Sequence, residues 1–158
     1  MTTLTVPERS PWRWPAAAAG LVVVASHIPV TPMHLSEAPY IGWSFVALEI
    51  AMAVLAAALL LEDTPLVWAA AGVVPALAIA AYALTRSVAL PQIADDVGNW
   101  TEPLGVVAVV AEALLVVLVI GRHSWRRSWL ARWPLGFAAV LLAMGVLATG
   151  CAASAGVG

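Results

Sequence analysis

Five apolar stretches, at residues 16–30, 40–61, 65–84, 104–121 and 134–150, occupy most of this chain. A helix needs about 20 apolar residues to cross a bilayer, and inside hydrocarbon the backbone must satisfy its own hydrogen bonds. The predicted fold is therefore all-α: a polytopic integral membrane helix bundle with five transmembrane helices. The first and last stretches are short, so four crossings is the alternative count. Residues 1–15 then form a cytoplasmic N-terminal segment, residues 16–150 a single bundle domain, and residues 151–158 a short tail, expected to be external. The basic and apolar start loosely resembles a signal peptide ending before Ser26, but the expectation is that the first span is retained as an anchor.

Composition enters by what it excludes. With 63% hydrophobic and 10% charged residues and a mean hydropathy of +0.96, water is not the main solvent. A net charge of −2 gives no basic surface for nucleic acid. The chain has no lysine, so Schiff-base chemistry and lysine phosphate loops are ruled out. Cys151 is the sole cysteine, which rules out an intramolecular disulfide and any multi-cysteine zinc or iron–sulfur site within one chain. Ala148, Thr149 and Gly150 before it look something like a lipobox, and Asn99-Trp100-Thr101 fits a glycosylation sequon; chance accounts for both patterns.

The arginines set the expected orientation, because cytoplasmic loops retain positive charge. Arg9 and Arg13 precede the first span, and Arg122, Arg126, Arg127 and Arg132 lie between the fourth and fifth. Both segments are expected on the cytoplasmic side. The opposite side carries Arg86 with Glu37, Asp95, Asp96 and Glu102. Tryptophan favours the interface; Trp12, Trp14, Trp68, Trp125, Trp129 and Trp133 mark the inner boundary, and Trp43 and Trp100 the outer one. Arginine alternates with Trp125 and Trp129 over residues 122–133, which predicts a short amphipathic helix with anionic lipid as its partner. The lysine-free, alanine-rich composition suits a GC-rich bacterial genome, making the bacterial cytoplasmic membrane the expected location.

Local signals refine the spans. Ser36 is positioned to cap the second span and Thr101 the fourth, each followed by a glutamate and a proline. Pro75 interrupts the third span, leaving the Ala71 carbonyl without its helical donor. The segment 86–103 mixes apolar and acidic residues and reads as a short interfacial helix or cover.

Function points to the charges inside the spans. Glu49 and Glu112 lie roughly 12–14 Å below the same boundary at 1.5 Å per residue, and an intramembrane carboxylate is costly and seldom idle. Each sits in a stripe rich in small residues: Gly42, Phe45, Met52, Ala53 and Ala56 around Glu49, and Gly105, Ala108 and Leu115 around Glu112. Both stripes are expected to face the bundle interior. His27 lies near the outer end of the first span, with His34 and Glu37 on the connection above it. His27, His34, Glu37, Glu49 and Glu112 are thus the candidate ligands of an outward-facing site between the second and fourth spans. Its occupant is a divalent transition metal or a proton. The alternative is an accessory or assembly subunit of a larger membrane complex, in which the buried carboxylates are structural fasteners. Association into a homo-oligomer is the route by which such short helices would enclose a larger pathway. A membrane enzyme is the weakest reading, because no His-Glu-x-x-His spacing occurs.

Overall fold

The structure, a computed structural model, describes residues 9–124, with side chains through Arg122. The expected fifth span at 134–150, the amphipathic segment beyond Arg122, Cys151 and the tail lie outside the described residues. Within them the chain is helical: α1 (Arg13–His27), α2 (Thr31–Glu37), α3 (Pro39–Leu61), α4 (Pro65–Ser87) and α5 (Pro103–Ser124), with one 3₁₀ turn at Ala94–Asp96. Three helices, α3, α4 and α5, are long and apolar enough to cross a membrane. The pair α1 and α2, bent by 49°, makes a fourth if it is taken as one broken span.

Proline opens the long helices. Pro39, Pro65 and Pro103 each occupy the first helical position, where the missing N–H has no intrahelical acceptor to lose and φ is already helical. Thr64 completes the start of α4 by accepting from the Val67 N–H at 3.3 Å. The start of α5 is capped differently from expectation: the Glu102 carboxylate, not Thr101, accepts from the Leu104 N–H at 3.0 Å and from the Gly105 N–H. A carboxylate there also meets the positive end of the helix dipole. Ser36 is no cap; it lies within α2, and its hydroxyl donates to the Met33 carbonyl.

Proline also breaks the first span. Pro29 has no N–H to continue α1, and Pro32 disfavours helical geometry before it. The chain bends at 28–30 and resumes as α2 rather than as a connecting loop. Pro75, by contrast, is accommodated inside a continuous α4, buried together with Ala71.

Packing follows the distribution of small residues. The consecutive residues Ala16, Ala17, Ala18 and Ala19 are all buried, and four in a row cover every face of a helix. So α1 is the central element, packed on α3 and α5, while α4 packs on α5 and α3. The other long helices bury one stripe each, with Met52, Ala56 and Leu59 on α3 and Ala108, Ala111 and Leu115 on α5. Their outward faces show Ile50, Val54, Leu66, Val73, Val110 and Val117, an apolar exterior suited to hydrocarbon and adverse in water. Ala53 belongs to that exterior, although its three-residue offset from the buried Ala56 predicts a place inside.

Each end of the bundle is tied by polar contacts. At the end where α3 turns into α4, Asp63 accepts from the Ser10 N–H at 2.5 Å, the Trp68 indole N–H at 2.5 Å and Arg122 at 3.3 Å. The Arg122 guanidinium stacks over Trp68 at 4.6 Å. Trp68 is only 1% exposed, so its ring is part of the packed interior at that end. At the α2 end, segment 88–102 crosses the bundle as a strap. Tyr40 donates to the Pro91 carbonyl at 2.6 Å, Tyr82 donates to the Trp100 carbonyl at 3.0 Å, and Arg86 pairs with Asp96 at 2.5 Å. Within the strap, Ile93 is buried.

Candidate functional site

The α2 end owes its shape to one glycine. A Cβ on Gly42 would lie 2.5 Å from the backbone nitrogen of Leu35 and 2.6 Å from its Cα, so α2 rests directly on the α3 backbone there. That contact carries His34 on a helix packed on α3, not on a free connection. The rings of His27 and His34 each lie 4.9 Å from the Phe45 ring, at interplanar angles of 76° and 57°. Phe45 thus stands against both imidazoles.

Each imidazole is held in the same way. His27 Nδ1 is 2.9 Å from the Val23 carbonyl and His34 Nδ1 is 2.9 Å from the Val30 carbonyl. A carbonyl only accepts, so Nδ1 carries the hydrogen in both rings and Nε2 is left as the atom that can gain or lose a proton. His27 is 9% exposed and His34 is half-buried. His27 lies within electrostatic reach of Glu49, His34 and Glu102.

Glu49 joins the group through Thr31. The buried Thr31 hydroxyl is 2.6 Å from Glu49 Oε1 and 3.0 Å from the His27 carbonyl. The break between α1 and α2 is what delivers it: Thr31 is the first residue of α2, four residues after His27, and faces α3 across the bend.

The remaining candidates lie apart from this group. Glu37 is exposed at the last residue of α2. Glu112 is 2% exposed, with Ala108, Ala111 and Leu115 buried near it on α5. Glu112 accepts no hydrogen bond among the described residues. Because α3 and α5 both pack on α1 and not broadly on each other, Glu49 and Glu112 are carried on either side of α1. Among the described residues no three His, Cys, Asp or Glu side chains form a group that could hold a metal ion.

Three residues of consequence escape a reading of the sequence. Thr31 looks like an ordinary pre-proline residue, and nothing local indicates that it reaches Glu49. Glu102 reads as a surface acid, although Glu-Pro at a helix start is a legible capping signal. Asp63 reads as a turn residue; the available clue is that it is one of three acids, with Glu8 and Glu62, on the arginine-rich side. Its φ of 48° is a left-handed conformation that aspartate tolerates better than most residues. Comparison with protein-family models, with curated proteins and with solved structures finds no match to this chain.

Proposed function

We propose that this chain is a small multi-pass protein of a cell membrane that binds or relays a cation at its α2 end, and that the cation is a proton. The observation that carries this reading is the 2.6 Å contact between the Thr31 hydroxyl and Glu49 Oε1. It lies beside two imidazoles whose Nδ1 atoms are both engaged. A carboxyl with a hydroxyl partner and two histidines with available Nε2 atoms are groups that can exchange protons. The absence of a convergent three-ligand group among the described residues favours the proton over a divalent metal. His34 and Glu37 form the entry, the buried His27 and the half-buried Glu49 the station beneath it, and Glu112 a second carboxylate across α1.

The topology belongs to the same proposal. Arg9, Asp63 and Arg122 gather at one end and Glu37, Asp96 and Glu102 at the other. Positive charge retained inside places the N-terminus in the cytoplasm and the His/carboxylate site outside. With residues 134–150 as a further span, the count is five. The arginine-rich stretch from Arg122 to Trp133 would lie on anionic lipid, and the composition favours a bacterial cytoplasmic membrane.

A second reading has one observation in its favour. Asp63 accepts from a backbone N–H, an indole and a guanidinium, so this chain does use a buried carboxylate as a fastener. Glu112 would be another in an accessory subunit of a larger complex.

The test is proton flux in liposomes containing the purified chain, with a trapped pH-sensitive dye and an imposed potential. Flux above that of protein-free vesicles, lost in Glu49→Gln, is the expected result. Flux equal to empty vesicles ends the proton reading; near-stoichiometric transition metal that disappears in Glu49→Gln would put a metal in its place.

A further inference from the structure

The Thr31 hydroxyl has one proton and two acceptors within reach, the His27 carbonyl at 3.0 Å and Glu49 Oε1 at 2.6 Å. It can donate to only one of them at a time. The His27 carbonyl never donates, so the direction of the Thr31–Glu49 bond depends on Glu49. If Glu49 is protonated, its O–H donates to Thr31 Oγ1 and Thr31 donates onward to His27. If Glu49 is ionised, it must accept, and Thr31 turns its proton away from His27.

Nothing is orphaned by that reversal. The His27 carbonyl also accepts from the Val30 N–H at 3.0 Å, so it keeps a donor in both states. No heavy atom has to move, because Oγ1 is already in contact with both oxygens. Thr31 is 6% exposed, which limits competition from solvent for its hydroxyl. The position also has a structural consequence. His27 ends α1 and Thr31 begins α2, so the Thr31-to-His27 bond spans the 49° break between them.

We infer that Thr31 is a positioning residue that acts as a hydroxyl switch, reversing its hydrogen bond with the charge of Glu49 and fastening α1 to α2 only when Glu49 carries a proton. This rests on the reading of Glu49 as a proton site. The proton released by Glu49 goes to solvent, and Thr31 never loses its own. The charged or titratable groups facing Glu49 are few. The elements packed on α3 offer His27 from α1 and His34 from α2, whose last residue, Glu37, is exposed. Between Trp68 and Tyr82, α4 has none; Tyr82 and Arg86 near its end are engaged with Trp100 and Asp96. Glu102 is within electrostatic reach of His27 and is held by the backbone of α5.

The experiment is infrared difference spectroscopy between acid and alkaline pH on the full chain in lipid. The Glu49 carboxyl band is identified as the one missing in Glu49→Gln. In Thr31→Val, which keeps the shape and removes the hydroxyl, the band shifts to higher frequency because the carboxyl O–H has lost its acceptor; Thr31→Ser restores it. The unaltered chain, labelled with carbonyl-13C histidine, gives a second measurement that needs no folded Thr31 variant. One histidine carbonyl band rises in frequency as Glu49 ionises, and it is insensitive to pH in Glu49→Gln. A Glu49 band unchanged in Thr31→Val, or labelled carbonyls that ignore the ionisation of Glu49, overturns the switch and leaves the proton site standing. No Glu49 carboxyl band at any pH overturns the proton site itself.

Discussion

Substituting Gly42 tests whether the α2 end is built on a backbone contact. An alanine Cβ there would sit 2.5 Å from Leu35 N, 2.6 Å from its Cα and 2.8 Å from Cδ2. Carbon contacts settle at about 3.5–4.0 Å, so α2 must move off α3 by about 1 Å. A rotamer change can relieve Cδ2 but not the two backbone atoms. Overpacking of this kind costs about 1–3 kcal/mol, set against a gain of about 0.5–1 kcal/mol from replacing a helical glycine. Gly20→Ala is the matched control: its Cβ would meet the flexible end of Met52 at 3.3 Å, with the Met52 carbonyl at 3.6 Å, and the helical gain is the same. Equilibrium unfolding in mixed micelles, followed by circular dichroism, is expected to place Gly42→Ala about 1–3 kcal/mol below Gly20→Ala. It should also loosen the contact of His34 with Phe45, visible as a change in imidazole chemical shifts. A Gly42→Ala protein as stable as Gly20→Ala would refute the close approach of α2 to α3.

Two further substitutions probe the ends of the bundle. Glu102→Ala removes the acceptor of the Leu104 and Gly105 N–H groups and should cost about 0.5–2 kcal/mol, as loss of a helix cap does; hydrogen exchange should accelerate at those two amides and not in the middle of α5. Tyr40→Phe removes the 2.6 Å bond to the Pro91 carbonyl and should weaken the strap locally by about 1 kcal/mol. Faster exchange or proteolysis across 88–97 with unchanged global unfolding would confirm it, and an unaltered strap would show that the hydroxyl is not what holds it.

How far the sequence carries depends on what kind of signal each element leaves. The stretches at 40–61, 65–84 and 104–121 form α3, α4 and α5 with no end moved by more than three residues, because length, apolarity and an initial proline are all local. The first stretch reads as continuing to Val30. In fact α1 stops at His27 and a seven-residue helix follows. Thr-Pro-Met-His-Leu-Ser-Glu is too short and too polar to register as part of a span, and it is helical because Gly42 gives it a surface to lie on. The similar depth of Glu49 and Glu112 is legible by counting along helices. Which neighbours each meets is not, since that depends on the order of the helices around α1. The Thr31 contact spans 18 residues and the Asp63–Arg122 contact 59, separations at which periodicity carries no information.

Three carboxylates in this chain differ in what surrounds them, and that difference sorts their roles. Asp63, with a side chain 8% exposed, accepts from a backbone N–H, an indole N–H and a guanidinium. All three donors are fixed in direction, so Asp63 acts there only as an acceptor and has no second arrangement. Glu49 meets a single hydroxyl that can both donate and accept, and therefore has two arrangements separated by one proton. Glu112 has neither kind of partner among the described residues. The amide substitution separates the first two. In Asp63→Asn the new side-chain amide would turn an N–H toward existing donors and lose the charge that holds Arg122. That variant should therefore be less stable by about 1–3 kcal/mol, while proton flux per folded molecule is unchanged. Glu49→Gln keeps an oxygen for Thr31 and an N–H to donate to it, so stability should change by less than about 1 kcal/mol while flux disappears. The opposite pattern, with Asp63→Asn silencing flux in a stable protein and Glu49→Gln merely loosening the fold, would move the chemistry to the α3–α4 turn and leave Glu49 as the fastener.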